Sequence, residues 1–341
     1  MILAINVGSS TLKYCLYDED DKEIKKGEVE EIGKKIPTHA AAVEELLSTL
    51  PKPSAIGHRV VFGGNAFTSP VRIKEAVIEK LDSFIPFSPL HLPFELDVIK
   101  LCHHLGFVQV ACFDTAFHRA MPTLHQHFPL PRFTWKEGVK RYGFHGLSYE
   151  YILSSLGQTA LGKKIIIAHL GNGSSMAAIK NGHPIDTTMG LTPTGGLMMG
   201  TRSGDLDPGI LTFLMREKGY GPTQIDALIN HQSGLLGVSE ITSDVKTLLS
   251  LRHSNKQADE ALTLFCYCAR KAIGSLAAAL EGLDLLIFTG GIGEHAEEIR
   301  EEICKGLGYL NIKANTHVIP TNEALMIARH TRNILPEGTK N

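Results

Sequence analysis

The sequence lacks the features that mark nucleic-acid-binding, membrane and secreted proteins. Its 34 Lys and Arg are balanced by 36 Asp and Glu, a net charge of −2, so it has no excess of positive charge with which to bind nucleic acid. Its longest apolar runs, such as Leu285–Phe288, fall far short of the ~20 residues that cross a bilayer. The N-terminal MILAINVGSS has no basic segment of the kind that opens a signal peptide. We therefore expect neither a nucleic-acid partner nor membrane association.

The sequence also lacks any CxxC spacing among its six cysteines, which argues against a metal cage or a redox motif. Cys266 and Cys268 lie in an apolar stretch with a helical pattern. We expect all six to be buried free thiols, as is usual in a reducing compartment, and therefore predict a cytoplasmic protein.

What the sequence does contain is a repeated pattern of short apolar runs joined by glycine–serine turns. Ile2–Val7 leads through Gly-Ser-Ser to Leu12–Tyr17, which predicts two strands and a tight turn. Lys164–Leu170 leads in the same way through Gly-Asn-Gly-Ser-Ser to Met176–Ile179. The segments AINVGSSTLKY and IAHLGNGSSMAAI resemble each other, which favours two related halves.

Strand and helix patterns fill much of the remaining chain. The predicted strands Val108–Phe113 and Leu285–Phe288 each end in polar or glycine residues, the place where ligands bind in open α/β sheets. Helical patterns cover Ala41–Leu50, Ala76–Phe84, Phe94–His104, Asp259–Leu280 and Glu294–Cys304. With 341 residues, 43% of them hydrophobic, the chain is expected to be an α/β protein of two domains.

Four segments place a charged or imidazole side chain among apolar residues or glycines. Arg59, in GHRVVFGG, could grip a carboxylate or a phosphate, or form a structural ion pair. Asp114 follows a predicted strand and could orient a metal or a nucleophile, or cap a helix. His145 lies between glycines in YGFHG, where it could donate a hydrogen bond to a ligand or be a buried residue with a purely structural role. Arg202 lies in the long irregular run Asp186–Pro208, which is typical of a functional segment.

Glycine-rich turns are the predicted phosphate contacts. Asn6–Lys13 combines a glycine, hydroxyls and a lysine without matching the Walker pattern, and an ordinary hairpin turn is the alternative. Its repeat, His169–Ser175, and the turn Gly290–Gly293 fit a nucleotide that rests on bare backbone. Glu323 could hold Mg²⁺ through water or lie in the first turn of a helix. This inventory suits phosphoryl transfer, which needs positioning and charge neutralisation, better than triad hydrolysis or hydride transfer.

Eight such segments, in this order between Asn6 and about Arg329, resemble the acetate kinase family. The resemblance implies the fold of acetate kinases, sugar kinases, actin and the Hsp70 ATPase domain, in which two duplicated, ribonuclease H-like α/β domains surround a central cleft. It implies domain limits of 1–115 plus 324–341 for the first domain and 116–323 for the second, nucleotide-binding and dimer-forming domain. It further implies a homodimer and a reversible, Mg²⁺- or Mn²⁺-dependent transfer from ATP to acetate that yields acetyl phosphate and ADP.

The resemblance also assigns roles to the matching residues. The catalytic residues that it implies are Arg59, Asp114, His145 and Arg202. The metal-linked residues are Asn6 and Glu323. The acyl pocket, which Arg59 shares, consists of Val61, Leu90, Phe144 and Pro193. The nucleotide contacts are Ser10, Lys13, His169, Gly171, Asn172, Gly173, Asp244, Lys246, Gly291, Ile292, Gly293, Glu294 and His295.

Several positions depart from the family pattern. Phe62 replaces the usual histidine, His295 replaces an asparagine, Lys246 replaces an arginine, and Thr194-Gly195 replaces Leu-Glu. The chain is also shorter than typical members, chiefly ahead of Gly57. These departures bear on the preference for nucleotide and acyl chain, so a propionate or other short-chain acyl kinase is the alternative to an acetate kinase. A non-catalytic nucleotide-binding protein of the same fold is a further alternative, and the intact set of charged residues argues against it.

Overall fold

A computed structural model describes residues 1–312 and 315–335, which divide into two compact units. The first unit contains Met1–Arg119, Phe144–Tyr151 and the segment that begins at Asn322; the second contains Ala120–Gly143 and Ile152–Thr321. The predicted domain limits stay a prediction, and their residues 336–341 lie outside the described residues. The compact first unit differs from the predicted first domain mainly by including Phe144–Tyr151.

A mixed six-stranded sheet forms the centre of the first unit. Its strands are β1 (Ile2–Val7), β2 (Leu12–Tyr17), β3 (Glu23–Val29), β4 (Ala55–Val60), β5 (Val71–Arg72) and β6 (Gln109–Phe113). They lie in the order β3-β2-β1-β4-β6-β5, in which β1, β4 and β6 are parallel and the other pairings are antiparallel. The carboxyl ends of the three parallel strands therefore meet at one edge of the sheet.

A mixed five-stranded sheet forms the centre of the second unit. Its strands are β7 (Lys164–Leu170), β8 (Ser174–Lys180), β9 (His183–Thr187), β10 (Leu285–Thr289) and β11 (Thr316–Val318). They lie in the order β11-β10-β7-β8-β9, with β7, β10 and β11 parallel. The buried core of this unit lies between the sheet and its long central helix, whose apolar residues recur every three or four positions.

The helices are amphipathic and several begin at a side-chain cap. In the described residues the α-helices are α1 (His39–Thr49), α2 (Glu75–Asp82), α3 (Leu92–His104), α4 (Arg132–Lys136), α5 (Gly146–Leu156), α6 (Pro208–Lys218), α7 (Pro222–His231), α8 (Gly234–Ser239), α9 (Val245–Leu251), α10 (Lys256–Ala279), α11 (Gly290–His295), α12 (Glu297–Cys304) and α13 (Glu323–Ile334). Thr38 caps α1, Asp207 caps α6 and Asn322 caps α13 by accepting from backbone N–H groups of the first turn. None of the described helices is long and apolar enough to cross a membrane.

The two sheets repeat one topology. β3-β2-β1-β4-β6 and β9-β8-β7-β10-β11 are each an antiparallel meander of three strands followed by two parallel strands. The two hairpins predicted from the repeated sequence are confirmed, and three of their four strands have the predicted bounds. The chain is therefore an α/β protein with a duplicated sheet, as predicted.

Two predictions about local structure are wrong. The helix expected over Glu294–Cys304 is split at Ala296, and its first part, α11, begins at Gly290 directly after β10. The side chain of Glu294 accepts from the Gly290 N–H at 2.9 Å, so the glycines form a capped helical turn and not a loop. All six cysteines are free, but Cys268 and Cys304 are only partly buried, where they pack against the core of the second unit.

Candidate active site

An ion pair lies where the parallel strands of the first unit end. Arg59, on β4, donates from Nε to Oδ1 of Asp114 at 3.1 Å and from Nη2 to Oδ2 at 2.5 Å. Its third nitrogen, Nη1, donates to Oδ1 of Asn6 at 3.1 Å. Because Asp114 follows β6 and Asn6 lies on β1, the topology itself brings these side chains together. The carboxylate of Asp114 is 1% exposed and bound by arginine, so it does not cap a helix.

Glu323 adds a second carboxylate beside the same arginine. Its Oε2 lies 4.0 Å from Nε of Arg59, and its side chain is 18% exposed. Asn322 caps α13 and Glu323 is the first residue of that helix, so the predicted alternative, a position in the first turn of a helix, is confirmed. Burial raises the pKa of Glu323, and the negative charge of Asp114 raises it further, against the lowering effects of Arg59 and Lys13. The two carboxylates thus form a pocket of negative charge that one guanidinium only partly offsets.

A cavity of about 190 Å³ opens beside the ion pair. It is lined by Asn6, Val7, Gly8, Thr11, Lys13, Arg59, Val61 and His91. Lys13 pairs across the hairpin with Asn6 and places its ammonium group 3.7 Å from Glu28. Ser10 is exposed at the tip of the turn, where its carbonyl accepts from Ile32 N–H at 3.1 Å. The cavity therefore combines cationic, amide and backbone groups of the kind that bind an anion.

His145 is held close to Asp114 by its neighbour. Gly146 N–H donates to the carbonyl oxygen of Asp114 at 3.0 Å, and a Cβ at Gly146 would lie 2.2 Å from that oxygen. His145 itself has a φ of 59°, a conformation that non-glycine residues rarely adopt and that is common at functional sites. Gly146, which follows His145, is thus required by packing, and the backbone next to His145 is held against that of Asp114.

The predicted acyl-pocket residues of the first unit differ in exposure. Val61 lines the cavity, Leu90 is half-buried, and Phe144 is 1% exposed. Phe144 stacks at 6.5 Å on Phe62, which also stacks on Phe87 at 5.3 Å. Phe62, the residue that departs from the family pattern, is therefore part of an aromatic cluster and 1% exposed.

The second glycine–serine turn lies at the corresponding sheet edge of the second unit. His169, near the end of β7, pairs with Thr289 at the end of β10. Gly171 lies close to Gly291, since a Cβ built on Gly171 would be 4.0 Å from Gly291 N and 3.9 Å from Nε2 of His169. Gly290 has a φ of 76°, and a Cβ there would lie 2.7 Å from the carbonyl oxygen of Leu170. The close packing of β7 and α11 therefore requires glycine at position 290.

The long irregular run joins this turn to the second predicted arginine. Residues 188–207 contain no described helix or strand, as predicted. Gly200 N–H donates to the carbonyl of Asn172 at 3.1 Å, and a Cβ on Gly200 would lie 2.2 Å from Asn172 Oδ1. Two residues on, Arg202 donates from Nη1 to the carbonyl of Pro193 at 3.2 Å. The structure therefore brings Asn172, Arg202 and Pro193 into one part of the second unit.

The remaining predicted nucleotide contacts lie at helix starts or near them. Asp244 caps α9 by accepting from Thr247 N–H at 2.8 Å, and hydrogen bonds from Thr247 lower its pKa. Lys246 and His295 are exposed. Glu294 accepts from the N–H groups of Gly290 and Thr321, so its carboxylate supports the glycine turn. The other members, Ile292, Gly293 and Gly173, lie in the same two turns as Gly171 and Gly291.

The family model of the acetokinase family matches residues 34–324. The chain belongs to the acetokinase family. As a member of that family it is a phosphotransferase that acts on a carboxyl group, with the actin-like ATPase fold.

Relatives of this acetokinase-family chain cover its whole length. It is 40% identical to an acetate kinase from Bacteroides thetaiotaomicron, over 98% of this chain and 99% of the relative. It is similar to the crystal structures of an acetate kinase from Porphyromonas gingivalis (37% identity, TM-score 0.88) and a propionate kinase from Francisella tularensis subsp. tularensis (34% identity, TM-score 0.92), each covering 98% of this chain and 99% of the other. The first alignment spans 395 positions, so the relative carries residues that this shorter chain lacks.

Three residues near the ion pair escaped the sequence analysis. His91 lines the cavity, His39 Nε2 donates to the Gly8 carbonyl at 2.8 Å, and Glu95 accepts from the Val61 N–H. His39 and Glu95 contact backbone groups that are distant in sequence, and His91 contributes to the wall of a cavity whose other residues come from β1, β2 and β4 or the turns that follow them. Only their type, a histidine or a carboxylate near apolar residues, could have drawn attention to them.

Proposed function

We propose that the protein catalyses the reversible in-line transfer of the γ-phosphoryl group of ATP to acetate. An acetate oxygen forms the new bond to the γ-phosphorus, the bond from that phosphorus to the β–γ bridging oxygen breaks, and ADP leaves with that oxygen. The observation that carries this proposal is the Arg59–Asp114 pair, held with Asn6 beside a cavity at the ends of three parallel strands. Family membership supplies the class of acceptor.

We assign charge stabilisation to Arg59, Arg202 and His145. The phosphoryl group spreads negative charge over its equatorial oxygens during transfer, and cations or N–H donors fixed in advance lower that barrier. Arg59 has the fixed orientation that this task needs, because two of its nitrogens bind Asp114. Although burial lowers the pKa of Arg59, Asp114 and Glu323 raise it more, so the group stays a cation. Asp114 orients the arginine and contributes negative charge on the metal side.

The oxygen donors of the first unit fit Mg²⁺, or Mn²⁺ in its place. Asn6, Asp114 and Glu323 supply amide and carboxylate oxygens, the ligands that Mg²⁺ prefers. Asp114 and Glu323 both lie beside the one guanidinium of Arg59, and a divalent cation would add positive charge next to these two carboxylates. No cluster of three or more His, Cys, Asp or Glu among the described residues could hold a metal, which agrees with an ion that keeps waters and phosphate oxygens as ligands. The ion would neutralise charge on the phosphates.

We assign the nucleotide to the backbone of the second unit together with Ser10 and Lys13 of the first turn. His169, Gly171, Asn172 and Gly173 would contact phosphates, and Gly291–His295, Asp244 and Lys246 the adenosine. The close packing of Gly290, where a Cβ would lie 2.7 Å from the Leu170 carbonyl oxygen, supports this assignment because this edge of the sheet is kept free of side chains.

Acetate, and not a longer acid, is the proposed acceptor, and the small volume of the cavity that Val61 lines beside Arg59, about 190 Å³, supports it. The test is acyl phosphate formation from ATP with acetate, propionate and butyrate in parallel, trapped as the hydroxamate. We expect the highest kcat/KM with acetate, although one methylene changes such a preference by only about 1–3 kcal/mol. Product with propionate alone would favour the alternative acyl kinase, and no product with any acid would contradict the proposal.

We also propose a cytoplasmic homodimer formed through the second unit. Helix α6 has no buried residue. Three of its apolar side chains, those of Ile210, Phe213 and Met215, are each more than 40% exposed. A second copy would cover this apolar surface. The six free thiols support a reducing compartment. Sedimentation of the wild type and of Phe213→Glu tests the dimer, and we expect the variant to be monomeric.

A further inference from the structure

A buried carboxyl group lies directly behind the cavity of the first unit. Glu95, in the first turn of α3, is 2% exposed. Its two oxygens lie 3.3 and 3.2 Å from the backbone nitrogen of Val61. A buried carboxyl group is costly unless it has a specific partner, and here that partner is a main-chain N–H of the turn that follows β4.

The Val61 N–H needs such a partner because β4 ends at Val60. Beyond that residue the sheet no longer supplies acceptors, and a buried N–H without one costs about 1–3 kcal/mol. Val61 follows Arg59 by two positions and lines the same cavity. Whatever fixes the Val61 backbone therefore also fixes the wall of the cavity and the strand end that carries the arginine.

We propose that Glu95 is a positioning residue for the carboxylate substrate, which acts by holding the Val61 backbone beside Arg59. This inference rests on the proposed function and assigns to that site a residue outside the cavity. Glu95 touches neither substrate nor metal in this scheme. It sets where the acyl group sits relative to the guanidinium.

The charge state of Glu95 is compatible with an anion nearby. Burial raises its pKa to about 8, Asp114 adds to that effect, and Arg59 and the Val61 N–H oppose it. The group is therefore mostly protonated at neutral pH and accepts the hydrogen bond without repelling acetate or phosphate. Glutamine has the same shape and charge as the protonated acid and should hold Val61 equally well.

The test compares Glu95→Leu, Glu95→Gln and Glu95→Asp with the wild type. In Glu95→Leu the Val61 N–H loses its acceptor, and we expect KM for acetate to rise about tenfold, while KM for ATP and kcat change by less than about threefold. Glu95→Asp, one methylene too short to reach, should shift KM for acetate in the same direction. Glu95→Gln should restore it to within about twofold. Asp97→Leu, on the exposed side of the same helix, is the matched control.

A merely structural Glu95 would give a different pattern. Equal rises in both KM values, no change in KM for acetate, or a Glu95→Gln variant as impaired as Glu95→Leu would each overturn the inference. If Glu95→Leu does not fold, Glu95→Asp carries the comparison with Glu95→Gln. Failure of the proposed function is separate, because the wild type itself would then form no acyl phosphate with any acid.

Discussion

The two glycine–serine hairpins share a topology but are held in different ways. In the first, the Gly8 carbonyl accepts from His39 Nε2 at 2.8 Å, a contact made from another element. In the second, Gly171 N–H donates to Ser174 Oγ at 3.2 Å and Ser174 Oγ donates back to the Gly171 carbonyl at 2.9 Å. The first turn, which its own Gly8 N–H to Thr11 carbonyl bond closes at 2.8 Å, is therefore supported by a side chain of α1. The second is supported by its own Ser174 side chain and by Gly200 N–H, which donates to the Asn172 carbonyl at 3.1 Å.

The neighbouring strands differ more strongly than the hairpins. Asn6 in the first hairpin corresponds to His169 in the second. Arg59 on β4 lies next to Asn6, and Thr289 on β10 lies next to His169. One sheet edge thus carries an ion pair, while the other carries a threonine followed by glycines. The two edges share a backbone topology and differ in their side chains: the first edge carries charged groups, and the second carries threonine and glycine. Four experiments test this division.

The largest effect is expected from removal of the arginines. Arg59→Ala and Arg202→Ala should each reduce kcat by about 10³ or more, because a cationic clamp on a transferring phosphoryl group contributes that much. Arg72→Ala, at an exposed position on β5, is the control and should retain wild-type turnover. Circular dichroism checks folding, since Arg59→Ala leaves Asp114 buried without its partner. Near-normal turnover in both arginine variants would contradict the proposal that Arg59 and Arg202 stabilise the charge of the transferring phosphoryl group.

For the glycines at the sheet edge of the second unit, we expect substitutions to change the free energy of unfolding. Gly290→Ala should lower the free energy of unfolding by about 2–4 kcal/mol, because the position has a φ of 76° and a Cβ would meet the Leu170 carbonyl at 2.7 Å. Gly291→Ala is the matched control, since no atom lies within 4 Å of a Cβ there, and should change stability by less than about 1 kcal/mol. Thermal unfolding measures both. Equal melting temperatures for the two variants would mean that the close packing of β7 and α11 is not required.

These contrasts also show what the sequence can and cannot predict. The hairpins were predictable because apolar runs and glycine–serine turns are local signals, and Arg59 because arginine is unusual within an apolar run. The start of α11 was missed since glycines indicate a loop unless a side chain such as Glu294 caps them. His39 and Glu95 were missed because their partners, Gly8 and Val61, lie 31 and 34 residues away. Contacts of this kind depend on tertiary packing and leave no pattern in a single sequence.

A moderate effect is expected when each turn loses its support. His39→Ala removes the donor to the Gly8 carbonyl, and Ser174→Ala removes both hydrogen bonds within the second turn. A hydrogen bond of this kind contributes about 1 kcal/mol, so each variant should lose about fivefold in kcat/KM for ATP. His39→Ala should in addition speed amide exchange at the start of α1, because His39 is its first residue and its ring packs at 5.0 Å on Phe94 of α3. Ser174→Ala should affect exchange only around its own turn. Loss of protection around both turns in either variant would contradict the view that the turns are held independently.

The last comparison concerns the pH dependence of the first unit, where Glu95 and His58 are buried. Burial raises the pKa of Glu95 from 4.5 to about 8, so the stability associated with its proton is complete below pH 4.5 and is lost as the pH rises towards 8. Burial lowers the pKa of His58 from 6.5 to about 4, so its contribution is complete above pH 6.5 and is lost as the pH falls towards 4. Glu95→Gln should remove only the first dependence. Amide exchange of β4 at pH 5 and pH 8, corrected for intrinsic rates, should therefore show a stability advantage of Glu95→Gln over the wild type that grows with pH. A difference that stays constant between these pH values would mean that Glu95 is ionised throughout, and that Arg59 carries one more negative neighbour than the proposed site allows.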